Sequence, residues 1–149
     1  MYSRILVPMD GSKASERALN EAIRIAGDGR AQIRVVHVLD ASTAYSYPVT
    51  HRTELREEGL RMLEGVRLKL QQAVVPCEVQ LVETDNIHET IAECLNRYAQ
   101  SHQTDLVVMG TTGRRGWRRM AFGSVAEGLA RIACCPVLLM HEEPSSGSK

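Results

Sequence analysis

Aromatic side chains are scarce. Phe, Trp and Tyr together make up 4% of the 149 residues, too few for a platform on which the bases of a nucleic-acid single strand could stack. An excess of one charge is missing too. Lys+Arg is 18 and Asp+Glu is 18, a formal net charge of zero, whereas a coat for nucleic acid or for an anionic membrane needs positive excess. No apolar run is long enough to span a bilayer. After Met1-Tyr2-Ser3-Arg4 the chain passes straight into Ile5-Leu6-Val7, with no longer apolar segment and no small-residue cleavage site behind it, so no signal peptide is expected. Cys77, Cys94, Cys134 and Cys135 form no CxxC pair, and the adjacent two are badly placed to bridge each other. They read as small apolar fillers in a reducing cytoplasm.

What is present is an ordinary globular mix, 44% hydrophobic and 24% charged, in a length that suits one domain with its own core. Arg4 to Met9 (RILVPM) is a short apolar run closed by Asp10-Gly11-Ser12, a buried strand and a turn. Ser12 can cap a helix whose apolar stripe is Ala14, Ala18, Leu19, Ala22, Ile23 and Ala26, ended by Gly27 and Gly29. Ile33 to Leu39 is a second strand, and Asp40 to Arg52 a polar loop. From Thr53 a longer helix carries Leu63, Val66, Leu70 and Val74 on one face and stops before Pro76. Cys77 to Val82 alternates like a strand near a sheet edge. Asn86, with Glu89 as capping-box partner, opens a helix striped by Ile87, Ile91, Cys94, Leu95 and Tyr98. Leu106 to Met109 is a fourth strand, Ser124 to Ala133 a fourth helix with Val125, Leu129 and Ile132 inward, and Val137 to His141 a last strand. Residues 1–142 thus form one domain, and 143–149 a polar, frayed tail.

Strands alternating with helices imply a parallel sheet covered on both faces. Ligands of such sheets sit beyond the carboxyl ends of the strands, where strand order reverses. Gly110-Thr111-Thr112-Gly113, nine further residues and Gly123-Ser124 fall at such an end. The glycines allow close backbone approach, and the helix opening at Gly123-Ser124 offers free N–H groups and the positive end of its dipole, which suit phosphate. Arg114, Arg115, Arg118 and Arg119 lie between with no acid among them. Ser124-x-x-Glu127 also fits a plain capping box, Gly110 could simply end a strand, and a solvated basic loop would account for the arginines. There is no P-loop, no G-x-G-x-x-G after the first strand and no G-x-S-x-G elbow, which argues against a P-loop ATPase, a dinucleotide enzyme and an α/β-hydrolase. His37, His51, His88, His102 and His141 show no metal spacing, and His37, inside an apolar strand, reads as a satisfied core histidine.

The chain from Arg4-Ile-Leu-Val-Pro-Met-Asp-Gly-Ser to Pro136-Val-Leu-Leu-Met resembles the universal stress proteins of the UspA superfamily, over roughly residues 2–141. Gly110, Gly113, Gly123 and Ser124 match the G-x2-G-x9-G-[ST] pattern of its ATP-binding branch. The resemblance implies a doubly wound, five-stranded parallel sheet of order 3-2-1-4-5, of the adenine nucleotide alpha hydrolase-like kind. It implies adenine near the backbone of Val38, Pro8 and Asp10 by the nucleoside with Asp10 bonding ribose or base, phosphates along Gly110, Gly113, Gly123, Ser124 and Val125, and Met109 among the cofactor-binding residues. The cofactor implied is ATP, with Mg2+ as its companion ion. Homodimers through the last strand, residues 137–141, are common in the family, and an apolar strand with no partner after it invites pairing. Many members carry His or another polar ring where this chain has Thr112, and Trp117 is unusual for the loop.

These features favour a cytoplasmic, nucleotide-dependent regulator of the stress response, without nucleic-acid or membrane partners. A slow ATPase would need a water-positioning group and metal-holding carboxylates, and Asp10 is the only acid beside a motif. A nucleotide-free dimerisation module is the third reading, with structural glycines. A phosphoryl-accepting receiver would need an acidic cluster at the strand ends, where Val82-Glu83-Thr84 stands instead.

Overall fold

The computed structural model describes residues 1–27, 29–111 and 123–142. The elements are β1 (Arg4–Pro8), α1 (Lys13–Ala26), β2 (Gln32–Leu39), the single turn α2 (Thr43–Ser46), α3 (Val49–Gln72), β3 (Cys77–Glu83), α4 (Ile91–Ser101), β4 (Leu106–Gly110), α5 (Ser124–Ile132) and β5 (Val137–Met140). The strands form one parallel sheet in the order β3-β2-β1-β4-β5. The expected α/β architecture and winding are therefore those of the protein, with β3 at an edge as the alternation of its sequence indicates.

Side chains alternate across the sheet and divide the core in two. Ile5, Val7, Ile33, Val35 and Val108 face α1 and α3, packing against Leu19, Ala22, Leu63 and Leu70. Leu6, Val36, Val107 and Met109 face the other way, against Leu95 and Tyr98 of α4 and Ala126 and Leu129 of α5. A central strand buried on both sides must be apolar throughout, which is why β1 reads as an unbroken hydrophobic run. Each fully buried Leu, Ile or Val contributes about 1.5–3 kcal/mol relative to exposure.

The helix ends follow local chemistry. Ser12 accepts from the Ser15 amide at 3.1 Å and starts α1, and Gly27, at φ 55°, ends it. α3 starts at Val49 rather than at Thr53, with Pro48 as its N-cap and the Arg52 amide on the Pro48 carbonyl at 3.1 Å. Its stripe is Leu63, Val66 and Leu70; Val74 lies past the helix end at φ 57° and is 83% exposed. α4 starts at Ile91, later than expected, since the capping box belongs to Thr90 and Glu93. Asn86 instead accepts from the His88 and Glu89 amides in the preceding loop, and Ile87 is exposed. Glu89 braces that loop: it accepts two hydrogen bonds from Arg97, at 2.9 and 3.0 Å, and one from the Asp85 amide. The Arg97 guanidinium holds its carboxyl below the usual range. In α5 the buried positions are Ala126 and Leu129, while Ile132 is exposed and Val125 half-buried. β5 stops at Met140, which leaves His141 outside the strand.

The cysteines divide by position. Cys94 is fully buried and its thiol is pushed up to about 11 by burial, which makes it an inert filler. Cys134 is exposed, so the filler reading does not extend to it.

Candidate functional site

Strand order reverses between β1 and β4. α1 leaves β1 toward one face of the sheet and α5 follows β4 on the other, so a crevice opens between their strand ends. The backbone widens it. Successive residues of a strand address opposite neighbours, and Arg4 accepts from the Asp105 amide, so the even residues of β1 face β4. Pro8 is one of them. It has no N–H, so it cannot supply the next rung, and the β1–β4 register ends at Leu6 and Val107.

A second opening lies between β1 and β2. Their last rung is the Met9 amide on the Val36 carbonyl, at 2.8 Å. Val38, two residues on, also directs its N–H and C=O toward β1, because Leu39 faces β3, where its carbonyl takes the Thr84 amide at 3.1 Å. β1 has by then turned away at Asp10-Gly11-Ser12, with Gly11 at φ 82°. Val38 presents a donor and an acceptor side by side, and neither has a partner among the described residues. Its side chain is half-buried on the α4 and α5 side.

Asp10 is half-buried at the mouth of the crevice. Its Oδ1 accepts from the Ser12 amide at 2.9 Å, and Oδ2 makes no hydrogen bond among the described residues. Across the crevice Thr111, 1% exposed, is a junction. Its amide donates to the Met140 carbonyl at 2.9 Å, its carbonyl accepts from the Gly123 amide, and its hydroxyl lies 3.4 Å from His141 Nδ1. Gly123 is the N-cap of α5 and offers no side chain, and no other side chain among the described residues caps the helix. The amides of Ser124, Val125 and Ala126 precede the first internal helical bond, from Glu127 to the Gly123 carbonyl, and have no partner among the described residues. Ser124 is thus the first helical residue and no cap, and Glu127 pairs with Arg131 at 2.9 Å, so the capping-box alternative does not apply. Open amides at the positive end of a helix suit an anion.

Gly110 has a role that its place in the motif does not disclose. A Cβ there would lie 2.7 Å from Ala14 Cβ and 2.9 Å from the Ala14 carbonyl carbon. The missing side chain lets the first turn of α1 sit directly on the end of β4, and so brings the Asp10 turn beside Thr111. Met109 is buried on the α4 and α5 side, in register with Leu139. The structure thus gathers Pro8, Asp10, Val38, Gly110, Gly123, Ser124 and Val125 at one end of the sheet. Gly113, Thr112, Trp117, the four arginines and the tail 143–149 lie outside the described residues.

A family model described as the universal stress protein family matches residues 1–141. The chain belongs to the universal stress protein family. Universal stress protein MJ0531 of Methanocaldococcus jannaschii is 33% identical, over 95% of this chain and 84% of that one. The crystal structure of a family member from Burkholderia pseudomallei is 35% identical, with a TM-score of 0.74 over 93% of this chain and 96% of its own. More distant members share the fold. One from Arabidopsis thaliana with AMP bound has a TM-score of 0.67 at 19% identity, over 99% of this chain and 97% of its own. One from Archaeoglobus fulgidus in complex with dAMP has 0.66 at 21%, over 93% and 98%. The adenine nucleotide alpha hydrolase-like sheet of the family is the fold seen here.

Val38 was within reach of sequence reasoning only through resemblance, and Thr111 was missed as a junction. A Thr between two motif positions carries no signal until the register of β5 is known. The Gly110 contact makes a prediction. Gly110→Ala should lower stability by about 1–3 kcal/mol, the usual cost of overpacking against atoms that cannot retreat, as read by urea denaturation. An unchanged midpoint would mean that α1 does not rest on β4 as described.

Proposed function

We infer that the protein binds an adenine nucleotide at the β1–β4 crevice, ATP by the motif it carries, and serves as a nucleotide-dependent regulator. The observation that carries this is the first turn of α5, beside Thr111 and across from Asp10, where three amides have no partner and no side chain caps the helix among the described residues. AMP and dAMP in complexes of distant family members support the ligand class.

On this reading Val38 would read the base through its backbone N–H and C=O, and Asp10 Oδ2 would accept from a ribose hydroxyl. Pro8 and Met109 would close the floor. Gly110, Gly113, Gly123, Ser124 and Val125 would hold the phosphates. Mg2+ would be carried by the phosphates, with Asp10 the one acid beside the motif. Bound nucleotide would supply negative charge at the start of α5. Occupancy would change what the surface presents to partners. Donors that stabilise ground state and transition state alike do not speed hydrolysis, which is why a regulator is favoured over an enzyme.

Denaturing the purified protein and chromatographing the supernatant should yield an adenine nucleotide. Gly123→Val should abolish that binding with the fold intact, because Gly123 sits at φ -75° and ψ 165°, which valine adopts freely. Undiminished ATP binding by the variant would move the phosphate site elsewhere.

Turnover separates the regulator from the slow ATPase. Single-turnover hydrolysis with Mg2+ should fall far below the roughly 1–100 s⁻¹ of dedicated kinases, and Asp10→Asn should leave it unchanged. Fast hydrolysis that disappears in Asp10→Asn while ATP still binds would reveal an enzyme.

The same reading includes a homodimer. β5 lies at the sheet edge, and its four residues are all half-buried, leaving apolar surface for a twin to cover. Light scattering at micromolar concentration should give the mass of two chains; the mass of one would overturn it.

A further inference from the structure

We propose that His37 is a positioning residue that keeps the Val38 backbone open by holding the Met9 carbonyl. His37 Nδ1 lies 2.7 Å from the Met9 carbonyl oxygen. A carbonyl only accepts, so the proton is on Nδ1 and the ring donates. This is the oxygen to which the ladder would next turn. With Val36 bonded to Met9, the following rung of a parallel pair runs from the Val38 amide to the Met9 carbonyl. That rung is absent.

A carbonyl has two lone pairs and could serve both donors, so the ring acts through direction. His37 lies on the α3 face of β2, and its hydrogen bond draws the Met9 oxygen toward that face and out of line with the Val38 amide. Gly59 of α3 makes room for it. A Cβ at Gly59 would stand 2.7 Å from His37 Cδ2 and 3.2 Å from Nε2. The helix backbone thus backs the ring on one side while Leu81, 3.0 Å from the same point, stands beside it. A ring so confined holds one direction of donation. The chain of contacts runs from Gly59 through His37 and Met9 to the groups of Val38 that would read a base.

The ligand side of this proposal rests on the adenine-nucleotide reading, and the backbone side does not. The test therefore has two arms, run on the full chain and on His37→Leu and His37→Asn. Asparagine keeps a donor close to the Nδ1 position and leucine has none. In nucleotide-free protein, amide exchange should be fast at Val38 in the parent and in His37→Asn. In His37→Leu it should slow by about tenfold or more, equivalent to about 1.4 kcal/mol, with a through-hydrogen-bond coupling appearing between the Val38 amide and the Met9 carbonyl. In competition against labelled ATP, His37→Leu should weaken adenosine by about tenfold while inorganic tripolyphosphate stays within about threefold, and His37→Asn should restore adenosine. A Val38 amide as exposed in His37→Leu as in the parent overturns the proposal. Equal loss in both variants also overturns it, as the mark of a packing residue. A parent that binds no adenosine or ATP removes the nucleotide reading, and the exchange arm still decides the role of His37.

Discussion

The place where β1 ceases to pair governs the whole carboxyl end of the sheet. β1 is the central strand and owes hydrogen bonds on two sides. It defaults on each at a different residue, for a different reason. Toward β4 the limit is covalent, since Pro8 has no proton to give. Toward β2 the limit is directional, since the His37 ring holds the Met9 carbonyl out of line with the Val38 amide. The strands could not part by more without losing the core beneath, where Leu6 and Val7 are wholly buried. The opening is thus confined to the last turn of the ladder, directly above close-packed apolar layers. An opening built on so firm a base would need little reorganisation to receive the nucleotide proposed for it.

Two helices are seated on the sheet by omission of a single carbon. At Gly110 the omission admits the start of α1, and at Gly59 it lets α3 approach a ring of β2. Both lie on the same face, and both end beside the opening rather than beneath the middle of the sheet. Neither glycine has an unusual backbone angle, so steric approach and not conformational freedom accounts for them.

Much of this could be read from the residues. The element order, the parallel sheet and the two-sided burial of β1 follow from unbroken apolar runs alternating with helical stripes, and the winding order came with the family resemblance. Where the reading strayed, the sequence offered two equal choices. Asn86 with Glu89 and Thr90 with Glu93 have the same spacing, and only the second starts a helix. Ile87, Val74 and Ile132 are apolar in stripes but exposed in space, because a stripe extends past the surface it covers. Of the site, the glycine spacing and Asp10 were plain. The open groups of Val38 were not, since a backbone is the same at every position and its freedom depends on which neighbour has ended. His37 looked like a core histidine with a satisfied nitrogen. It does have one, but the partner gives that bond its meaning.

The strand order also dictates a schedule for the growing chain. β1 is made first, and its partner β2 is complete by Leu39, yet its other partner begins only at Leu106. The carboxylate that grips the amides of Ser3 and Arg4, each at 2.9 Å, belongs to Asp105. A nascent chain that has reached Glu83 can form β1, β2 and β3 with α1 and α3 on one face. Its other face, with Leu6, Val36 and Val82, is then bare, and β1 is a raw edge. Such a half-sheet is sticky on one side and open along one margin, the two features that promote misassociation during synthesis. At translation rates of about 5–20 residues per second the exposure lasts for seconds. A protein of this winding must be shielded through that interval or fold its second half faster than its neighbours can find the first.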